Sequence, residues 1–264
     1  MPDPSNPYVG LRGRLAGKRA VITGATGGMG RAACRMFCEA GAEVFGSDLD
    51  EPAGGALETE LRGLGFAFAF RAADMSREAD VAALADAVRA QWGVLDILYN
   101  NAGIILGKPL LQTTAEEFDH LHAVNTRSVF LAMKAFVPLM TTGKGSIVNI
   151  SSGGGVRALP NMSAYGSSKA GVLMLTKVAA IELAPDIRVN AILPGLVDTA
   201  MPKAFFSGLP EGERQAAWDS LGRSRPLQRA ATPEEIVNLA LFLASDEASY
   251  VTACDYMIDG GRSA

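Results

Sequence analysis

The chain has 264 residues, with 48% hydrophobic residues, 20% charged residues and a formal net charge of −4. That length suits one α/β domain whose folding buries roughly 75% of the unfolded surface. No basic tract occurs, which argues against nucleic acid as a partner; the three cysteines argue against a disulfide framework and fit a reducing cytoplasm.

The first seventeen residues carry three prolines and three glycines and no apolar signal core, so residues 1–14 read as a loose arm. Residues 15–264 then alternate short β-branched runs with helical patterns. Strands are predicted at 19–23, 43–48, 67–71, 96–100, 146–150, 188–193 and 255–258. Helices are predicted at 28–40, 52–64, 77–92, 115–124, 128–140, 163–183 and 233–244. The most apolar helical stretch, 172–183, is interrupted by Lys177 and Glu182, which excludes a membrane span. A polar segment with Gly208, Pro210 and Gly212 lies before the last helix. Strand–helix alternation at this spacing implies right-handed crossovers and one doubly wound, Rossmann-like parallel sheet of about seven strands with both faces covered. Cys34 and Cys38 share a helix face, but without further ligands they read as core thiols. His120 and His122 are likewise isolated, and no metal site is expected.

In such a sheet, ligands bind beyond the carboxyl ends of the strands, and the chemistry-bearing residues fall there. After the first strand comes Thr23-Gly24-Ala25-Thr26-Gly27-Gly28-Met29-Gly30. Glycines let the backbone turn tightly and approach a pyrophosphate, and the following helix points free N–H groups at it. A tight structural turn is the competing reading of such a loop. Asp48 ends the second strand, twenty residues after Gly28, where a carboxylate accepts from ribose hydroxyls and repels a 2′-phosphate. With Leu49 beside it and no Lys or Arg at hand, it selects NAD over NADP. Asp50 is better placed to cap the next helix. Asp74, followed by Met75, reads equally as an adenine contact or as a cap near Ser76. Asn100-Asn101-Ala102-Gly103 leaves space beside a cofactor, and an amide there can brace two strands.

Ser152 lies thirteen residues before Tyr165, and Lys169 lies four after it, one helical turn on. A tyrosine holds its proton to about pH 10. A neighbouring ammonium is expected to lower that value and make the phenol a general acid/base. Ser151 is the rival serine.

Together these segments resemble the short-chain dehydrogenase/reductase family over residues 15–261, with the motifs in the family's order: the glycine loop at 23–30, Asp74, residues 100–103, Asn125, Ser152, Tyr165-x-x-x-Lys169 and Pro194-Gly195. The resemblance implies a tetrad of Asn125, Ser152, Tyr165 and Lys169. Tyr165 would be the general acid/base and Ser152 would hold the substrate oxygen. Lys169 would tune the phenol and hold the nicotinamide ribose, and Asn125 would anchor a relay water. It also implies that Pro194, Gly195, Val197 and Thr199 seat the nicotinamide, with Met201 beside them, and that the chain forms a homotetramer. One departure stands out: similar proteins often carry a glycine after Tyr-Val-Thr, where this chain has Ala253 and Cys254.

The substrate wall is expected from apolar residues around 104–106, from Gly153, Gly154 and Gly155 to Leu159, and from a lid at 200–225 that carries Phe205. The expected activity is interconversion of a secondary alcohol and a ketone with a bulky apolar or cyclic group. The alternatives are a 3-oxoacyl thioester reductase of the same fold and a non-catalytic nucleotide sensor.

Overall fold

The computed structural model describes residues 13–140 and 144–264; residues 1–12 of the expected arm lie outside the described residues. Seven strands form one parallel sheet: β1 (Arg19–Thr23), β2 (Glu43–Asp48), β3 (Phe68–Ala72), β4 (Ile97–Asn100), β5 (Gly145–Ile150), β6 (Ile187–Pro194) and β7 (Asp255–Ile258). Their order is β3-β2-β1-β4-β5-β6-β7. The chain changes direction between β1 and β4, so a crevice opens beyond their carboxyl ends.

The covering helices are α1 (Gly28–Glu39), α2 (Glu51–Gly63), α3 (Glu78–Trp92), α4 (Ala115–His122), α5 (Ser128–Phe136), α6 (Ser163–Glu182), α7 (Ala200–Lys203), α8 (Glu211–Arg223) and α9 (Pro233–Ala244). Their ends follow local chemistry. Asp50 caps α2 by accepting from Ala53 N. Thr114 and Thr232 form capping boxes with Glu117 and Glu235. Gly93 closes α3 in the left-handed conformation, with φ 73°.

Because successive strand residues point to opposite faces, neighbours in one strand feed two cores. On one face Ile22, Tyr99 and Val148 pack with Phe37, Leu61 and Leu241. On the other, Val21, Leu98 and Val189 pack with Leu84, Phe136 and Val172. A buried polar chain runs from the sheet centre to α6: Asn100 Nδ2 donates to Asn149 Oδ1 at 2.8 Å, and Asn149 Nδ2 donates to Thr176 Oγ1 at 2.9 Å.

Two regions differ from the sequence reading. The helices expected at 115–124 and 128–140 join through a π-turn, Ala123–Arg127, and end early in a 3₁₀ turn, Val137–Leu139. Pro138, with no N–H and a ring that clashes with the preceding turn, cannot continue an α-helix. The polar segment after residue 200 is also more ordered than its composition suggests, forming α7, a 3₁₀ turn at Ala204–Phe206, and α8. No helix among the described residues is long and apolar enough to cross a membrane.

Candidate active site

The glycine loop owes its shape to close approaches. Gly24 adopts φ +67°, and a Cβ on Gly30 would fall 1.9 Å from the Gly24 carbonyl oxygen, so α1 can start against the loop only with glycine there. Gly27 caps α1 without a side-chain partner, leaving the first N–H groups directed at the crevice. A Cβ on Gly28 would lie 2.7 Å from Thr199 Cγ2, so the loop and the segment after β6 nearly touch across the cleft.

Asp48 braces this loop from below. Its carboxylate accepts from Thr26 N at 2.9 Å and from Leu49 N at 2.7 Å. Asp74 accepts from both the N–H and the hydroxyl of Ser76 and lines the cleft; it does not cap the following helix, whose N-cap residue is Arg77 with no side-chain cap bond. Asn101 does brace two strands: its Nδ2 donates to the carbonyls of Thr23 and Gly24, both at 3.1 Å. Thr23 Oγ1 accepts from the N–H groups of Asn101 and Ala102, a role the sequence reading did not assign.

These residues enclose a cavity of about 380 Å³, lined by Gly24, Thr26, Gly28, Met29, Gly30, Asp48, Leu49, Asp74, Met75, Ala102 and others. It meets a second cavity of about 100 Å³ through shared walls, Met29, Asn101, Gly103, Ile104, Thr199 and Met201. Ser152, Tyr165, Lys169, Pro194, Gly195 and Val197 line that smaller chamber. An elongated nucleotide fits such a cleft: glycine contacts and free N–H groups stand at one end, and proton-transfer groups at the other.

Three of the four expected tetrad residues, Ser152, Tyr165 and Lys169, line the chamber, and Asn125 is buried behind it. Lys169 is 4% exposed and its Nζ donates to the Ile150 carbonyl at 2.9 Å. A Cβ on Gly103 would meet Asn125 Oδ1 at 3.1 Å and Lys169 Nζ at 3.2 Å, so Gly103 is where the two approach. Asn125 is fully buried in the π-turn, a distortion frequently found at functional sites. Besides its bonds to Ile104, its Nδ2 donates to Ser168 Oγ at 3.0 Å. Both serines line the chamber, but their hydroxyls have different partners. Ser151 is buried and its hydroxyl donates to the Lys169 carbonyl at 2.8 Å. Ser152 Oγ accepts from Gly154 N at 3.0 Å and is a neighbour that favours the ionised Tyr165 phenol.

The electrostatics correct one expectation. Burial raises the Tyr165 phenol above its ordinary value, and the Ser152 hydrogen bond lowers it by less. Lys169 is not a source of the expected lowering here. Burial instead pushes its own ammonium down to about 8, so desolvation outweighs attraction.

Of the candidate substrate residues, Gly154 packs against the Tyr165 ring. Leu159 and Phe205 are each 45% exposed, and the walls of the small chamber near the lid are Met201 and Pro202. Gly195 leaves room for Asp259, which a Cβ would meet at 2.6 Å.

The ordered motifs, the sheet and the converging tetrad define a nicotinamide-type oxidoreductase architecture, and the chain belongs to the short-chain dehydrogenase/reductase family. A family model described as enoyl-(acyl carrier protein) reductase matches residues 24–263. The chain is 38% identical over 254 residues to a cyclopentanol dehydrogenase of Comamonas sp., covering 96% of this chain and 99% of that one. It is also 38% identical to a 3-oxoacyl-(acyl-carrier-protein) reductase of Thermotoga maritima, covering 94% and 98%. A solved levodione reductase superposes with a TM-score of 0.89 at 33% identity, covering 94% of this chain and 98% of that one.

Proposed function

We propose that this protein is an NAD-preferring oxidoreductase that interconverts a secondary alcohol and a ketone carried on an apolar ring. The observation that carries this reading is the meeting of Ser152, Tyr165 and Lys169 in a chamber whose other walls include Ile104, Ile105, Met201 and Pro202. Similarity to a dehydrogenase of cyclopentanol, itself a cyclic secondary alcohol, supports the same class.

When bound, the nicotinamide cofactor supplies the hydride acceptor or donor. This chain's residues manage the rest. Ser152 Oγ holds the substrate oxygen, and a donor placed there stabilises charge developing on it. The Tyr165 hydroxyl exchanges the substrate's hydroxyl proton. Lys169, buried and titrating near 8, is the next proton site inward and the group that holds the ribose beside Tyr165. Asn125 positions the Ile104 wall and stands beside Lys169. Thr199 and the backbone of Val197 seat the cofactor's reactive end.

The NAD preference rests on Asp48, which lines the larger cavity with no Lys or Arg among its described walls. The 3-oxoacyl thioester reading is less supported, because Asp48 disfavours the 2′-phosphate that such reductases usually use. Exposed apolar residues on α5 and α6, including Phe130, Met174 and Ile181, support assembly into a homotetramer. Free cysteines, one of them exposed, fit a cytoplasmic setting. Oxidation of the alcohol is the favoured direction, since cytosolic NAD is mostly oxidised.

The test is steady-state turnover of cyclopentanol and cyclohexanol with NAD and with NADP. Turnover favouring NAD is expected. Activity confined to 3-oxoacyl thioesters with NADPH would reverse the reading.

A further inference from the structure

The small chamber has an unequal boundary. Ile104 and Ile105 lie on the loop after β4, which Asn125 holds rigidly. The opposite wall, Met201 and Pro202, lies on α7, a single four-residue turn with no core of its own. Something outside the chamber must hold that turn in place.

Phe205 does so. It follows Met201 by four residues and so projects from nearly the same side of the turn. Its ring reaches across the mouth to the loop after β4 and packs on Gly107. A Cβ on Gly107 would lie 2.5 Å from Phe205 Cε1 and 3.2 Å from Cζ, so only a residue without a side chain admits the ring at this depth. The same turn is held from behind by Lys203. Its Nζ pairs with Asp198 at 2.5 Å and lies 5.3 Å from the Trp218 ring centroid. Asp198 separates Val197 from Thr199. The turn is therefore fixed on two sides, at Asp198 near the cofactor segment and at Gly107 across the mouth.

The chamber this leaves is small, about 100 Å³, and Met201 and Pro202 are among its walls. Extending the reading above, we infer that the Phe205–Gly107 contact limits the bulk of the ring that the substrate can carry. It does so by pinning Met201 and Pro202 against the chamber. Phe205 and Gly107 are positioning residues that act through α7 and do not touch the reacting atoms. A bulkier ring requires Phe205 to leave Gly107 before the wall can retreat.

The experiment compares kcat/KM for cyclopentanol with that for a bulky analogue, 4-tert-butylcyclohexanol, at saturating NAD. The proteins are the wild type, Phe205→Ala, Gly107→Ala and the double variant. The Gly107 change meets only the far end of a flexible ring, so the fold should hold, and thermal melting verifies this. In each single variant the ratio of bulky to small substrate should rise about tenfold, the scale of a one-to-two methylene change in a pocket. The double variant should match Phe205→Ala alone, because an added methyl at 107 has no ring left to displace. Unchanged ratios in both single variants overturn the inference while leaving the proposed activity intact. Additive effects in the double variant also overturn it, since the two residues then act separately. A wild type that oxidises neither ring alcohol overturns the proposed activity and the inference together.

Discussion

Asn125 grips both backbone polar groups of Ile104: its Oδ1 accepts from Ile104 N at 2.8 Å, and its Nδ2 donates to Ile104 O at 2.9 Å. A single amide thus stands in for the strand partner that β4 loses beyond Asn100, and it carries the chamber wall on a buried, fixed support.

Removing that amide should therefore be costly in two ways. Asn125→Ala leaves both backbone groups of Ile104 without this partner, and such losses cost about 1–3 kcal/mol each when the groups stay buried. Chemical denaturation should show the lost stability. Kinetics should show a fall in kcat/KM for the ring alcohol, with Asn125→Asp intermediate because it keeps the acceptor and loses the donor.

Ser152 and Ser151 offer a paired test. Ser152→Ala should lower kcat by about 10²–10³-fold, the range seen when an oxyanion-stabilising donor is removed. Ser151→Ala removes only a core hydrogen bond to the Lys169 carbonyl and should cost about 1 kcal/mol of stability. Equal kinetic losses in both would show that the serine roles are misassigned. Tyr165→Phe should abolish turnover by about 10³-fold or more, while NAD titration gives nearly the wild-type affinity.

Lys169 makes stability pH-dependent. Its folded value is depressed to about 8 from 10.5, so between those values the unfolded chain binds the extra proton. Stability then rises with pH across that window. Relative to Lys169→Met, the cofactor-free wild type should gain up to about 3 kcal/mol from pH 8 to 10.5. Above pH 10 the raised Tyr165 works oppositely, because the unfolded phenol loses its proton first and the native state loses stability. Unfolding free energies of both proteins at several pH values check the sign and the window.

Asp48→Ala should narrow the preference for NAD over NADP by about tenfold or more in kcat/KM, as the charge that repels a 2′-phosphate disappears. It should also weaken NAD itself, because Thr26 N loses the acceptor that shapes the loop. Tighter binding of NADP than of NAD by the wild type would overturn this assignment.

Ala253 adopts φ 59°, a left-handed conformation costly for a residue with a Cβ. Glycine adopts this conformation without strain, which accounts for the glycine that the family resemblance leads one to expect here. The Ala253 N–H still donates to Val189 O at 2.8 Å, so the strain is accepted to keep the β6–β7 junction. Ala253→Gly should stabilise by about 0.5 kcal/mol, after the unfolded-chain entropy of glycine is set against the relieved strain. The melting temperature should rise by about 1–2 °C.

The sequence alone determined what depends on local pattern and on residue type at fixed spacing. The seven strands were legible because strands covered on both faces read as short apolar runs. The starts of α2 and α9 were legible because Asp50 and Pro233 act within one turn. The glycine loop, Asp48 and the tyrosine–lysine pair were legible as candidates because residue type and interval can be read directly from the chain. Tertiary structure decided what depends on burial and on contacts between distant segments. No spacing reveals that Ser151 turns to the Lys169 carbonyl while Ser152 accepts from Gly154 N. Nor does it reveal that Asn125 is spent on Ile104, or that burial raises the Tyr165 phenol. The pairing of Gly107 with Phe205 belongs to the same group, since a glycine's lack of a side chain has meaning only once the fold brings a ring against it.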